Sequence, residues 1–233
     1  MLFGLFYFDW TILLVIPAFI FSLWAQYSVQ STYKKYSQVP TRSGMTGASA
    51  ARRILDSNGL SAVRIEHIGG ELTDHYDPKT NVIRLSDAVH DSRSAAAIGV
   101  AAHEAGHAVQ YAKGYFPMKV RALAIPATQI GSFLAIPLFI IGLIFASDGL
   151  MLAGILLYCA IAFFQLVTLP VELNASRRAM AALTDSHSLS GEELNAAKKV
   201  LGAAAMTYVA ALATSLTTLL RLILLAGGGR RRD

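Results

Sequence analysis

Four long apolar stretches constrain this chain more than any other feature. They cover residues 2–25, 122–146, 150–169 and 201–226. Each reaches the roughly 20 residues a helix needs to cross the hydrocarbon core of a bilayer. Only Asp9 interrupts the first and only Arg221 the last, while the second carries no charge. In lipid every backbone N–H and C=O must be satisfied within the protein, and a helix does this by itself. The sequence therefore predicts a mainly α membrane protein with about four transmembrane helices. Composition agrees: 15% of the 233 residues are charged, against about 25% in an ordinary soluble domain. The first stretch lacks a basic start and is too long for a cleavable signal, so it reads as a retained span. Trp10 and Trp24 would sit near its two interfaces.

These spans divide the chain into six segments: a first helix (1–26), a candidate catalytic segment (27–121), a membrane hairpin (122–169), a further helical segment (170–200), a transmembrane or interfacial helix (201–226) and a basic tail (227–233). Residues 27–44 are polar and read as a connector. Thr46 is a candidate N-cap for a short helix ending near Ser57, with Asn58 and Gly59 as its stop. Residues 61–68 and 81–85 alternate apolar and polar side chains and read as strands, with a polar turn between them. They predict a short hairpin ahead of a helix that starts near Asp91 or Ser94, runs to about Ala112 and stops at Gly114. The expected fold outside the membrane is thus a small α+β domain.

That last helix carries the chemistry. His103 and His107 are four residues apart, so on a helix they share a face and converge. Two imidazoles supply two corners of a tetrahedral zinc site, and a catalytic site keeps one corner for water. Glu104, the next residue, is placed to take that water's proton. The plainer account, a helix with two satisfied core histidines, leaves the His-Glu-x-x-His order unexplained.

A third protein ligand is needed. Ser147, Asp148 and Gly149 are all that joins the second and third stretches, so the chain returns to the side it left. Glu172 emerges there, just after Pro170, which suits the first turn of a helix. His187 is on the same side, and His67, His75 and His90 precede the motif. Glu172 is favoured over these. Its plainer role would be to complement a helix dipole, worth about 0.3–1 kcal/mol.

The motif, the membrane hairpin and the run Pro170, Val171, Glu172, Leu173, Asn174, Ala175, Ser176, Arg177, Arg178 together resemble the YugP-type membrane zinc metallopeptidases. Residues 46–60 and 72–78 resemble that family too, so the likeness covers nearly the whole chain. The resemblance implies a zincin-like catalytic domain holding one Zn2+ per chain through His103, His107 and Glu172, with Glu104 as general base. The family pattern often has Asp where this chain has Asn174. If that Asp buttresses a ligand histidine, an Asn in its place can still hydrogen-bond it but raises its basicity less. His75, Tyr76, Arg177 and Arg178 are candidate oxyanion donors. Turn packing for the first two and juxtamembrane charge for the arginines are the plainer accounts.

Net charge is +5, but the basic residues flank the apolar stretches and form no aromatic-interleaved patch, so nucleic acid is not an expected partner. The expected partners are the bilayer and a peptide or membrane-protein substrate, with partner proteins or a homo-oligomer left open. Cys159 is the single cysteine, which excludes an internal disulfide and a thiolate zinc site. Residues 27–121 carry 12 Lys and Arg. That places the catalytic segment in the cytoplasm of a multi-pass plasma-membrane protein. Four full spans then put Arg230, Arg231 and Arg232 outside, against the charge rule, unless the last stretch lies in the interface or re-enters. The function expected is a zinc endopeptidase. A non-catalytic membrane scaffold and a zinc hydrolase of a non-peptide amide are the competing readings.

Overall fold

The computed structural model describes residues 10–229. Residues 2–9 of the first apolar stretch, Asp9 among them, and Arg230, Arg231 and Arg232 lie outside the described residues. The order of elements is α1 (Ile12–Tyr36), α2 (Gly47–Ser57), β1 (Arg64–Ile68), β2 (His75–Asp77), β3 (Val82–Ser86), α3 (Ala95–Ala112), α4 (Phe116–Ile144), α5 (Asp148–Asp185) and α6 (Gly191–Gly229). Helices α1, α4, α5 and α6 are each long and apolar enough to cross a membrane. The chain divides into two compact units.

The first unit comprises the described parts of Met1–Trp24, Arg121–Val167 and Tyr208–Asp233. Its apolar side chains point outward: Leu123 is 81% exposed, Phe133 78% and Ile144 71%. Lipid accepts such a surface and water does not. Phe139, Met151 and Leu222 are buried inside it, and glycines bring the helices close. A Cβ on Gly131 would stand 2.7 Å from the Leu157 carbonyl oxygen, and one on Gly154 2.7 Å from that of Ala135. Close backbone approach at small residues is how helices pair without a hydrophobic drive between them. Helices α1 and α6 add a hydroxyl contact, Ser22 Oγ to Thr214 Oγ1 at 2.9 Å.

The second unit comprises Ala25–Val120 and Thr168–Thr207. In α2 the buried residues Gly47, Ala50, Ala51, Ile54 and Leu55 recur at helical spacing, and Thr46 caps the helix by accepting from the Ser49 N–H at 3.2 Å. Strand β3 is the centre of a three-stranded sheet of order β1-β3-β2, with Val82, Ile83 and Leu85 fully buried. Beside it, Leu55, Ile98 and Leu183 belong to one apolar core. Each such side chain contributes about 1.5–3 kcal/mol gross on burial.

The sheet corrects one expectation. The two strands foreseen from sequence, now β1 and β3, are neighbours but parallel, with Arg64 opposite Val82. The hairpin partner of β3 is β2, which runs antiparallel with Tyr76 opposite Ile83. Strand β2 reverses the chain at one edge, and β3 then fills the gap between β2 and β1. At three residues, bracketed by turn formers, β2 gives too short an alternation to detect. Asp77 shapes the β2–β3 turn, accepting from the Lys79 N–H at 2.9 Å and from Thr80 Oγ1 at 2.7 Å.

Three helix limits also differ from expectation. The region from Tyr27 to Tyr36 continues α1 instead of forming a connector. It contains no glycine or proline to stop it. Pro170 lies inside α5 and does not open a new helix; an apolar helix tolerates the lost hydrogen bond when its neighbours are packed. Helix α6 begins at Gly191, with Glu192 and Glu193 in its first turn.

Candidate metal centre

Helix α3 is built to be thin and buried. Ser94 caps it, accepting from the Ala97 N–H at 3.2 Å, and the helix ends before Gly114, which takes a left-handed φ of +64°. Alanine and glycine along its length let neighbouring helices approach. A Cβ on Gly106 would stand 2.7 Å from the Ala175 carbonyl oxygen of α5. That contact sets α5 so that Glu172, one turn before Ala175, faces the two histidines.

The result is a compact triangle of ligand atoms. His103 Nε2 and His107 Nε2 are 3.1 Å apart, and Glu172 Oε2 is 3.2 Å from the first and 3.3 Å from the second. Ligands about 2.0–2.1 Å from a tetrahedral zinc ion lie roughly 3.3 Å from one another, so these residues fit that ion. His107 and Glu172 are buried. Burial alone would lower the His107 pKa, but its hydrogen bond to Glu172 and the nearby Glu104 charge raise it overall. Three acceptor atoms turned toward one point need a proton or a cation between them.

The supporting groups fix which nitrogen faces that point. The Gln110 amide Nε2 donates to the Val171 carbonyl at 2.8 Å and to Asn174 Oδ1 at 2.9 Å. Both partners are acceptors, so Gln110 Oε1 must be the atom that faces His107 Nδ1, at 2.9 Å. It accepts the Nδ1 proton and leaves the Nε2 lone pair for a metal. Ser176 Oγ stands 3.1 Å from His103 Nδ1 and supports the other ring. Glu104 is 8% exposed, and its carboxylate has no hydrogen bond or ion pair among the described residues.

Of the ligand candidates weighed from sequence, only Glu172 meets the histidine pair. His187 is exposed with a left-handed φ of +51°, and His75 is exposed with Nδ1 2.8 Å from the Thr73 carbonyl. His67, His90 and Asp91 form a second group close enough to share a cation, but His67 and Asp91 are exposed. Tyr76 donates to Asn81 Oδ1 at 3.1 Å, and burial pushes its phenol up to about 12. Asn174 makes no hydrogen bond to either histidine of the triangle among the described residues. It holds Gln110 on one side and accepts from Arg178 Nε at 2.8 Å on the other. The sequence reading missed Gln110 and Ser176. Gln110 had a signal: it is a polar residue three beyond His107, on the face that the ligands occupy.

Comparison with known proteins agrees with this geometry. The family described as "Putative neutral zinc metallopeptidase" matches residues 11–227. A relative from Bacillus subtilis (strain 168), named "Putative membrane protease YugP", is 47% identical over 219 residues, covering 94% of this chain and 97% of its own length. No solved structure matches the chain significantly.

Proposed function

The chain belongs to the neutral zinc metallopeptidase family, and on that premise we propose that it is a membrane-embedded zinc endopeptidase. The observation that carries this reading is the buried triangle of His103, His107 and Glu172 with the unpaired Glu104 carboxylate beside it. Zinc held by these three residues would polarise the scissile carbonyl and acidify the attacking water. Glu104 takes the proton of that water and passes it to the leaving amine. Gln110 and Ser176 keep the imidazoles turned the right way throughout. Strands β1 and β2 are the sheet's edges. We assign substrate pairing to β2, whose Tyr76 lies against Tyr111 of α3, because an edge strand holds an extended peptide in register.

Metal content and hydrolysis measured together test the assignment. Glu104→Gln is expected to retain one zinc per chain and lose at least about 100-fold in turnover, the usual worth of a general base. His103→Ala, His107→Ala and Glu172→Ala are expected to lose the metal. Full zinc and full activity in Glu172→Ala would remove it as the third ligand. Near-normal turnover in Glu104→Gln would remove the base. A zinc-loaded wild type that cleaves no protein substrate would favour a scaffold, and cleavage confined to non-peptide amides would favour the other hydrolase reading.

The site is assigned to the cytoplasmic face of the plasma membrane. Residues 27–121 are rich in Lys and Arg, and Arg177, Arg178, Lys198 and Lys199 add to that side, whereas the link Ser147, Asp148, Gly149 has no positive charge. Glu172 follows the third apolar stretch by only three residues, which suits membrane-anchored substrates. In a Cys159→Ser background, an impermeant thiol reagent on intact cells is expected to label a cysteine at Asp148 and spare one at Lys79. The opposite pattern would move the chemistry to the outer face.

A further inference from the structure

Outside the metal triangle, the second unit contains a cavity of about 570 Å3 between α2, α3 and α5. That volume is within the ordinary range for small-molecule sites. Gly106 and Val109 of α3 form part of its wall, and three cationic residues from different parts of the chain line it: Arg53 from α2, Lys113 just past α3, and Arg178 from α5. One carboxylate, Asp185, shares the lining. None of the three cations comes within ion-pair distance of a carboxylate among the described residues.

The arginines are positioned rather than loose. Arg53 donates to the Ser186 carbonyl at 3.1 Å, and Arg178 uses only Nε, on Asn174 at 2.8 Å. The terminal amines of Arg178 make no hydrogen bond among the described residues. Like charges lining one cavity repel one another, although water screens the exposed Arg53 and Lys113, and an anion among them turns the repulsion into attraction. A carboxylate would neutralise one of the three. A phosphate group carries about −1.5 to −2 charge and three acceptor oxygens, enough to engage all three cationic residues of the lining. The planar fork of Arg suits it in particular.

We propose that this cavity is a binding site for a phosphate group, carried either by a soluble phosphate compound or by a lipid headgroup. The site is also connected to the metal centre, through Arg178, Asn174, Gln110 and His107 in sequence. It does not depend on the peptidase reading, because no residue of the triangle lines it.

Calorimetric titration of the whole, zinc-loaded protein in a non-ionic maltoside detergent tests the proposal. The probes are inorganic phosphate, acetate and short-chain phosphatidic acid. Saturable phosphate binding is expected, with a dissociation constant below about 1 mM. Lys113→Ala and Arg53→Ala, both at exposed positions, are each expected to weaken it about tenfold, and Asp185→Asn to strengthen it. Glu104→Gln is expected to bind as the wild type does, so a failed peptidase assignment and a failed cavity assignment would be told apart. Phosphatidic acid binding at least about tenfold tighter than phosphate would identify the lipid form, and equal binding the soluble form. Absence of saturable binding, acetate binding as well as phosphate, or insensitivity to both Lys113→Ala and Asp185→Asn would overturn the proposal.

Discussion

Gln110 offers the sharpest test of how the metal centre is held. Its side chain is fully buried and makes three hydrogen bonds, at 2.9 Å to His107, 2.8 Å to Val171 and 2.9 Å to Asn174. Truncation to alanine leaves the Val171 carbonyl its helical donor and Asn174 its bond from Arg178. The group left without a partner is His107 Nδ1. Losing such a support typically weakens metal binding 10- to 100-fold, or about 1.4–2.7 kcal/mol. The fold should lose a further 1–3 kcal/mol or so from the orphaned donor. Gln110→Glu is expected to be no improvement, although a carboxylate on a ligand histidine normally strengthens it. Its second oxygen would face two acceptors, the Val171 carbonyl and Asn174 Oδ1, and Arg178 holds the latter in place. Zinc affinity from chelator competition, read beside thermal melting in excess zinc, separates loss of metal from loss of fold. In a double-mutant cycle with Asn174→Ala, the two costs should combine to less than their sum, because both act through one chain of bonds. Wild-type zinc affinity in a normally melting Gln110→Ala protein would refute the reasoning.

Two further outcomes follow from the packing and the electrostatics. Gly106→Ala places a Cβ 2.7 Å from the Ala175 carbonyl oxygen, whereas Gly99→Ala meets the Ala197 side chain at 3.2 Å. The first must displace backbone and should cost about 1–3 kcal/mol together with zinc affinity, the second much less; equal melting temperatures and zinc contents would contradict this. Asp77 is held down to about 2 by its hydrogen bonds from Thr80 and Lys79. A depressed carboxyl stabilises the fold fully above its unfolded value, and that contribution disappears as pH falls through the folded one. Asp77→Asn should therefore lower the melting temperature at neutral pH, with the gap narrowing between pH 4 and 2 as measured by differential scanning fluorimetry; a gap independent of pH would count against the turn's electrostatic role.

What could be read from the sequence depended on the length of the pattern that carried it. The four apolar stretches are long enough to be unambiguous, and each has its helix among the described residues. The caps at Thr46 and Ser94 and the stops at Asn58 and Gly114 were legible because capping is a local property of one side chain and one backbone group. The sheet was only half legible. Strands β1 and β3 announce themselves by alternation, but whether they pair parallel or antiparallel depends on β2, whose three residues give almost no pattern. That Glu172 would meet His103 and His107 was reachable by topology, since a three-residue link between spans must return it to their side. The support behind the histidines was not. The role of Asn174 was left open by the sequence; the structure puts Gln110 on His107, with Asn174 one bond further out. No spacing rule within a single helix separates these alternatives, because the choice is made where α3 meets α5. The separation of those helices is set by Gly106, a residue without a side chain, pressed against the Ala175 carbonyl. A methyl group at position 106 would push against that carbonyl and shift α5, which carries both Val171 and Asn174, relative to Gln110. The glycine inside the His-Glu-x-x-His motif therefore shapes the candidate metal centre as much as the residues that would bind the ion.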